Sequence, residues 1–192
     1  MVTINDAREC IKKILQYLGE NPDREGLLKT PDRVVKSWDT LFGGYLLKPE
    51  SVLEVTFKEC SQYDEMIILR DIEFYSTCEH HMLPFFGKVH VAYLPELGDS
   101  CKVVGVSKLA RLVDIHARRL QIQERMTQDI AMDLEKAINA RGVGVIVEAQ
   151  HFCMTSRGVQ KKHSIMSTSA MRGEFRTIPM VRQEFLQLVK GA

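Results

Sequence analysis

Apolar residues recur at helical spacing near the start of the chain. Ile11, Ile14, Leu15 and Leu18 predict a helix over about residues 3–18, with Gly19 to end it. Asn21-Pro22-Asp23 marks a turn. Thr30-Pro31 reads as a cap followed by proline at the first helical position. Val34, Val35, Trp38, Leu41 and Phe42 form the apolar face of that second helix, closed by Gly43-Gly44. The period then falls to two. Val52 to Phe57, part of Met66 to Tyr75, and Phe86 to Leu94 alternate as strands do, and Pro95 stops the third. Helical spacing returns at Ser107, which predicts a capped helix through Leu120 with Leu109, Leu112, Val113 and His116 on one face. Another helix over about Glu124 to Ala140 carries Met126, Ile130, Leu134 and Ile138, with Gly142 as its stop. Val143 to Met154 and Ser164 to Phe175 predict strands, and Val181 to Val189 predicts a closing helix after Pro179.

Helices, strands, two helices, strands and a helix is an α+β order rather than a repeating βαβ one. It predicts an antiparallel sheet with two central helices packed on one face. The 192 residues fit one compact domain with a small N-terminal accessory element, long enough to bury a core without staples. A formal net charge of +1 argues against coating nucleic acid or a membrane through bulk charge. That balance hides an asymmetry. Residues 1–65 hold nine basic and twelve acidic side chains, whereas residues 157–192 hold seven basic and two acidic. The tail is either a solvated charge run or part of an anion site. No stretch is apolar enough to span a bilayer and no basic start precedes an apolar segment, so a cytoplasmic protein is expected. Cys10, Cys60, Cys78, Cys101 and Cys153 are odd in number and irregular in spacing, which argues against a disulfide framework.

The densest chemistry lies in Ser76-Thr77-Cys78-Glu79-His80-His81. Cys78 and His81 are spaced so that one turn aims both at a single ion, and thiolate with imidazole favours zinc. Two ligands hold zinc weakly, so a third is needed. His151-Phe152-Cys153 supplies it: Cys153 is the third ligand, and in a strand it shares a face with His151. Three protein ligands leave a position for water. A buried Cys acting as a small hydrophobe is the blander reading. His80 and His151 remain for proton transfer near neutral pH. Glu79 is either a supporting carboxylate or a solvated one. Lys108 and Arg111 put cations in a first helical turn, against the dipole preference, which fits either a bound anion or plain surface residues. In Gln121-Ile122-Gln123-Glu124-Arg125 a carboxylate beside an amide suits a purine edge, although helix capping gives the same pattern. No nucleotide-cradling glycine loop, H-E-x-x-H, deaminase or G-x-S-x-G pattern is present.

Taken together, STCEHHMLPFFGKVHVAYLP (76–95), VVGVSKLARLVD (103–114), QIQERMTQDIA (121–131), GVGVIVEAQHFCMTSRGV (142–159), STSAMRGEFR (167–176) and NPDREGLLKTPDRV (21–34) resemble the GTP cyclohydrolase I family. Val106, where the family more often has Leu, is one mild departure. The resemblance implies a tunnelling fold over residues 51–192 behind a helical region 1–50, and a toroidal homodecamer of two pentamers with sites between subunits. It implies hydrolysis of GTP to 7,8-dihydroneopterin triphosphate and formate, the first step of pterin synthesis leading to folate or tetrahydrobiopterin. Zn2+ would be held by Cys78, His81 and Cys153. Glu124 and the neighbouring Gln123 segment would anchor guanine. Lys108, Arg111 and Arg157 would bind the triphosphate, with Arg33 and Lys36 from a neighbouring subunit. Water would attack the carbon between the two imidazole-ring nitrogens of guanine, with His80 protonating the departing nitrogen. His151 would assist ribose opening and Ser107 the later rearrangement. The alternatives are another purine or pterin enzyme of the same fold, such as a nitrile reductase of the queuosine pathway, and a non-catalytic GTP-binding homologue. A feedback regulatory protein is left open.

Overall fold

The computed structural model describes residues 2–54, 56–57, 60 and 63–191. Two compact units divide it, 1–43 and 44–192.

The first unit is a helix pair. Helix α1 (Ile4–Tyr17) starts at a reciprocal cap: Thr3 accepts from the Asp6 backbone N–H while the Asp6 carboxylate takes the Thr3 N–H. Gly19 follows its end at φ +87°, a conformation that costs glycine little. Helix α2 (Thr30–Leu41) has Lys29 rather than Thr30 at its N-cap, because Thr30 is already helical and Pro31 occupies the first turn. It ends at Phe42, ahead of the expected glycines, which belong to a 3-10 turn. Arg8 pairs with Asp32 at 2.7 Å and joins the two helices.

The second unit carries the sheet. Its elements are α3 (Pro49–Leu53), β1 (Thr56–Phe57), β2 (Ile67–Cys78), β3 (Pro84–Leu94), β4 (Val103–Val104), α4 (Val106–Ala117), β5 (Leu120–Gln121), α5 (Gln123–Ile138), β6 (Gly142–His151), α6 (Phe152–Thr155), β7 (Met166–Gly173), α7 (Glu174–Thr177) and α8 (Pro179–Lys190). The five-stranded sheet runs β5-β2-β3-β6-β7, antiparallel except for the short parallel β2–β5 pair. A separate ribbon pairs β1 with β4.

The strand expected over Val52 to Phe57 is mostly absent. Pro49 opens a helical turn that ends at Leu53, Val55 lies outside the described residues, and only Thr56–Phe57 pair. Helix α4 starts from Gly105, not from a Ser107 cap, and stops at Ala117. Helix α5 ends at Asn139, whose left-handed conformation (φ 52°) closes it without the expected Gly142.

Residue parity in β3 sorts the core. Phe85, Val89, Val91 and Tyr93 face α4 and α5, whose Leu109, Leu112, Val113, Met126, Ile130, Leu134 and Ile138 are buried there. Ala92 and Leu94 face the other way, onto Phe175 of α7 and Phe185 of α8. The two central helices thus cover one face, and the C-terminal helices add a smaller core on the opposite one. The fold is therefore mixed helix and sheet, with helices on both faces.

Candidate active site

Strand β2 ends at Cys78, and β3 begins at Pro84. The turn between them is closed by Cys78 N–H donating to Leu83 O at 2.8 Å and Met82 N–H donating to Cys78 O at 2.8 Å. Met82 takes a positive φ of 52° to complete it. This tight loop presents Cys78, His80 and His81. Cys78 is buried at the strand end, while His80 and His81 are exposed.

Strand β6 stops at His151, its pairing ending at Phe85, so Cys153 is not on a strand. It lies in the helical turn α6 instead, and the shared-face argument for His151 and Cys153 does not apply. Beyond Phe85 the neighbouring strand offers Pro84, which has no N–H to continue the ladder. The helical turn nevertheless brings the Cys153 sulfur to the hairpin. Ligand atoms of Cys78, His81 and Cys153 all lie within 4.8 Å of one another. The Cys78 sulfur is 3.7 Å from His81 Nδ1. A tetrahedral zinc with bonds of about 2.3 Å to sulfur and about 2.0 Å to nitrogen has ligand–ligand edges of roughly 3.6 Å, so the donor set and its spacing fit that ion. Burial first, and then the neighbouring Cys78 sulfur, push the Cys153 thiol up.

The hairpin turn is latched from the α4–α5 connection. Strand β5 sets Leu120 and Gln121 beside Thr77 and Cys78. Glu79 N–H donates to Gln121 O at 3.0 Å. Arg125 pairs with the Glu79 carboxylate and donates to Gln121 Oε1 at 3.1 Å and Leu120 O at 3.2 Å. Glu79 is thus ion-paired rather than freely solvated.

His151 lies flat on Phe85, with ring centroids 4.6 Å apart and planes 4° apart. Its Nε2 is 2.8 Å from Gln123 Oε1. Burial pulls its pKa below the ordinary value, against the opposing Glu124 carboxylate. Gln123 and Glu124 occupy the first turn of α5, but they differ. Glu124 is exposed, whereas the Gln123 amide is buried and engaged with Val147, Met166, Thr168 and His151. Phe85 is the part of the site that the sequence reading did not single out, because the predicted strand begins at Phe86; the Gln123 amide, expected beside Glu124 at a purine edge, is instead engaged within the fold.

Ser107, Lys108 and Arg111 lie in the first turns of α4, and Arg157 follows α6. Among the described residues, the side chains of Ser107, Lys108, Arg111, Glu124 and Arg157 have no hydrogen-bond or ion-pair partner. Arg33 and Lys36 are exposed on α2 of the first unit.

Comparison with known proteins gives one consistent family. A model of GTP cyclohydrolase I matches residues 7–190. GTP cyclohydrolase 1 of a Campylobacter jejuni strain is 51% identical over 184 residues, covering 96% of this chain and 94% of its own length. The Campylobacter lari protein of that name is 52% identical over the same span. The one from Chlorobium chlorochromatii is 51% identical over 187 residues, covering 97% and 81%. Among solved structures, an apo archaeosine synthase QueF-Like aligns with a TM-score of 0.43 at 19% identity, covering 56% of this chain and 93% of its own.

Proposed function

The chain belongs to the GTP cyclohydrolase I family, and from that premise we propose how its residues divide the family's reaction, GTP and water to 7,8-dihydroneopterin triphosphate and formate. The observation that carries the assignment is the Cys78, His81 and Cys153 cluster, whose ligand atoms lie within 4.8 Å of one another. These three would hold zinc. A zinc ion there supplies Lewis acidity and lowers the pKa of water, so that a nucleophile exists near neutral pH.

The remaining steps fall to side chains. Glu124 accepts from the N–H edge of guanine, an assignment supported by its exposed, unpartnered carboxylate at the start of α5. Gln123 belongs to the same anchor segment by its place beside Glu124, while its own amide is taken up by Val147, Met166, Thr168 and His151. Lys108, Arg111 and Arg157 take the triphosphate, and their lack of internal partners supports the reading. Two of them stand at the N-terminal end of α4, where free backbone N–H groups also favour an anion. Arg33 and Lys36 join them from a neighbouring subunit. His80 protonates the guanine nitrogen as the ring opens. His151 moves the proton that opens the ribose, and Ser107 assists the later rearrangement.

The same reading gives the chain a tunnelling fold and a toroidal homodecamer of two pentamers in the cytoplasm. Among the described residues no helix is long and apolar enough to cross a membrane. The deciding experiment is zinc analysis of the purified protein together with GTP turnover, followed by pterin fluorescence and formate release. Zinc near one per chain with formate release is expected. A zinc-loaded protein that binds GTP and releases no formate overturns the reading.

A further inference from the structure

The assignments above give His151 a proton-transfer role, and this inference rests on that reading. It concerns the Gln123 amide, which has no reacting atom to touch. Gln123 is only 1% exposed. One end of its amide faces Val147 O at 3.0 Å, Met166 O at 3.0 Å and Thr168 Oγ1 at 3.1 Å. Two of these are backbone carbonyls, which only accept. That end is therefore the NH2 group, and the amide cannot be flipped.

The hydroxyls agree with that direction. Thr127 donates its one proton to Gln123 O at 2.7 Å. In the 2.7 Å contact between Thr127 and Thr168, the proton must then come from Thr168. Thr168 Oγ1 is left facing the Gln123 amide as an acceptor, and no two donors collide.

With the NH2 end fixed, Oε1 is the atom that meets His151 Nε2 at 2.8 Å. An amide oxygen only accepts, so Nε2 carries the hydrogen and the neutral ring keeps its lone pair on Nδ1. Phe85, stacked at 4.6 Å, fixes the plane of the ring. Among the described residues, Nδ1 has no hydrogen-bond partner.

We infer that Gln123 is a positioning residue that holds His151 as the Nε2–H tautomer, so that Nδ1 is the nitrogen that takes and returns the proton at the opening ribose. When Nδ1 takes a proton, the ring becomes imidazolium and its Nε2–H stays on Gln123 Oε1. When Nδ1 gives the proton back, the starting tautomer is restored. Nothing is oxidised or reduced.

The test uses the zinc-loaded enzyme with 15N-labelled histidine. His151, assigned by its loss in His151→Ala, should show nitrogen shifts of the Nε2–H form. In Gln123→Met, which keeps the length but removes the acceptor, the signal should move toward a mixture of tautomers. Its kcat should fall roughly ten- to a hundredfold, the usual effect of losing a partner that orients a site histidine, with KM for GTP unchanged. Gln123→Glu, as the neutral acid, keeps a carbonyl oxygen against Nε2 and an O–H toward the Val147 and Met166 carbonyls, and should restore the Nε2–H signal and most of kcat. If Gln123→Met fails to fold, the nitrogen shifts of His151 in the parent enzyme decide the question.

An Nδ1–H signal in the parent enzyme overturns the inference. So does a folded Gln123→Met with parental kcat, or one that raises KM alone, which would make Gln123 a substrate contact. Pterin formation at the parental rate from His151→Ala would instead remove the role given to His151, while the tautomer signals would still report on Gln123.

Discussion

Cys153 occupies the second residue of a four-residue helical turn, and its sulfur completes the cluster with Cys78 and His81. It is only half-buried, so truncating it removes a ligand without opening a cavity in the main core. Cys153→Ala should therefore lose zinc and formate release while its far-ultraviolet circular dichroism stays parental; unchanged zinc content would remove Cys153 from the ligand set. His90 poses a different residue-scale question. It is 3% exposed on β3, its Nδ1 accepts from Asp71 N–H at 3.3 Å, and its Nε2 is buried without a hydrogen-bond partner. Burial lowers its pKa from 6.5, against the raising influence of Asp71 and Glu148 and with the smaller lowering influence of Lys88 and Arg70. The half-exposed Glu148 carboxylate, 3.8 Å away, is too well hydrated to reverse that balance. The folded state thus binds this proton less readily than the unfolded chain. The stability from a neutral His90 is fully present above about pH 6.5 and is lost as pH falls from there through the lower folded value. Denaturant midpoints of His90→Gln should fall less steeply over that interval than those of the parent, and parallel curves would refute the assignment.

At the scale of elements, the C-terminal helices depend on a missing side chain. A Cβ at Gly144 of β6 would lie 2.5 Å from Phe175 Cδ1 and 2.9 Å from Phe185 Cε1. Both rings are fully buried, stacked edge to face at 5.4 Å between centroids, and have no room to retreat. Gly144→Ala should cost about 1–3 kcal/mol of stability, the usual range for overpacking, read from the urea midpoint. Because that face lies opposite the cluster of Phe85 and His151, zinc binding should survive the change. The hairpin turn is held differently. Besides its own backbone bonds it is gripped by β5 and Arg125, elements that follow Cys78 by some forty residues, so distant contacts add to what its local sequence dictates.

For the whole molecule, the cysteine count takes on a second meaning. Cys60 and Cys101 form a disulfide with Cα atoms 5.7 Å apart, against the expectation drawn from their odd number and irregular spacing. It links the segment after β1 to the one just before β4, the two strands of the small ribbon. Cys10, Cys78 and Cys153 are the free thiols. Denatured protein treated with a chelator should accordingly alkylate at three cysteines before reduction and at five afterwards, as counted by mass spectrometry; five without reductant would exclude the bond. The near-zero net charge also divides by region. Arg157 of the basic tail stands with Lys108 and Arg111 among the cations that lack internal partners, while Arg172 is spent on Glu135 at 2.6 Å.

Local periodicity alone determined α1, α2, α4, α5 and the β3 and β6 strands, because each pattern is set by residues within a few positions of one another. The Cys–x–x–His spacing likewise announced a turn that presents both donors together, since one tight loop holds both. What the tertiary structure decided depends on distant partners. The strand that would have carried Cys153 ends where its neighbour has only Pro84 to offer, and a helical turn takes over. Val52 and Leu53 read as a strand by alternation, yet Pro49 starts a helical turn there. The tail packs on the second face because Gly144 leaves space for Phe175 and Phe185. Gln123 and Glu124 are adjacent in sequence and look alike as a polar pair. Only the sheet, which brings Val147, Met166 and Thr168 to one of them, turns the first amide inward onto His151 and leaves the second carboxylate in water.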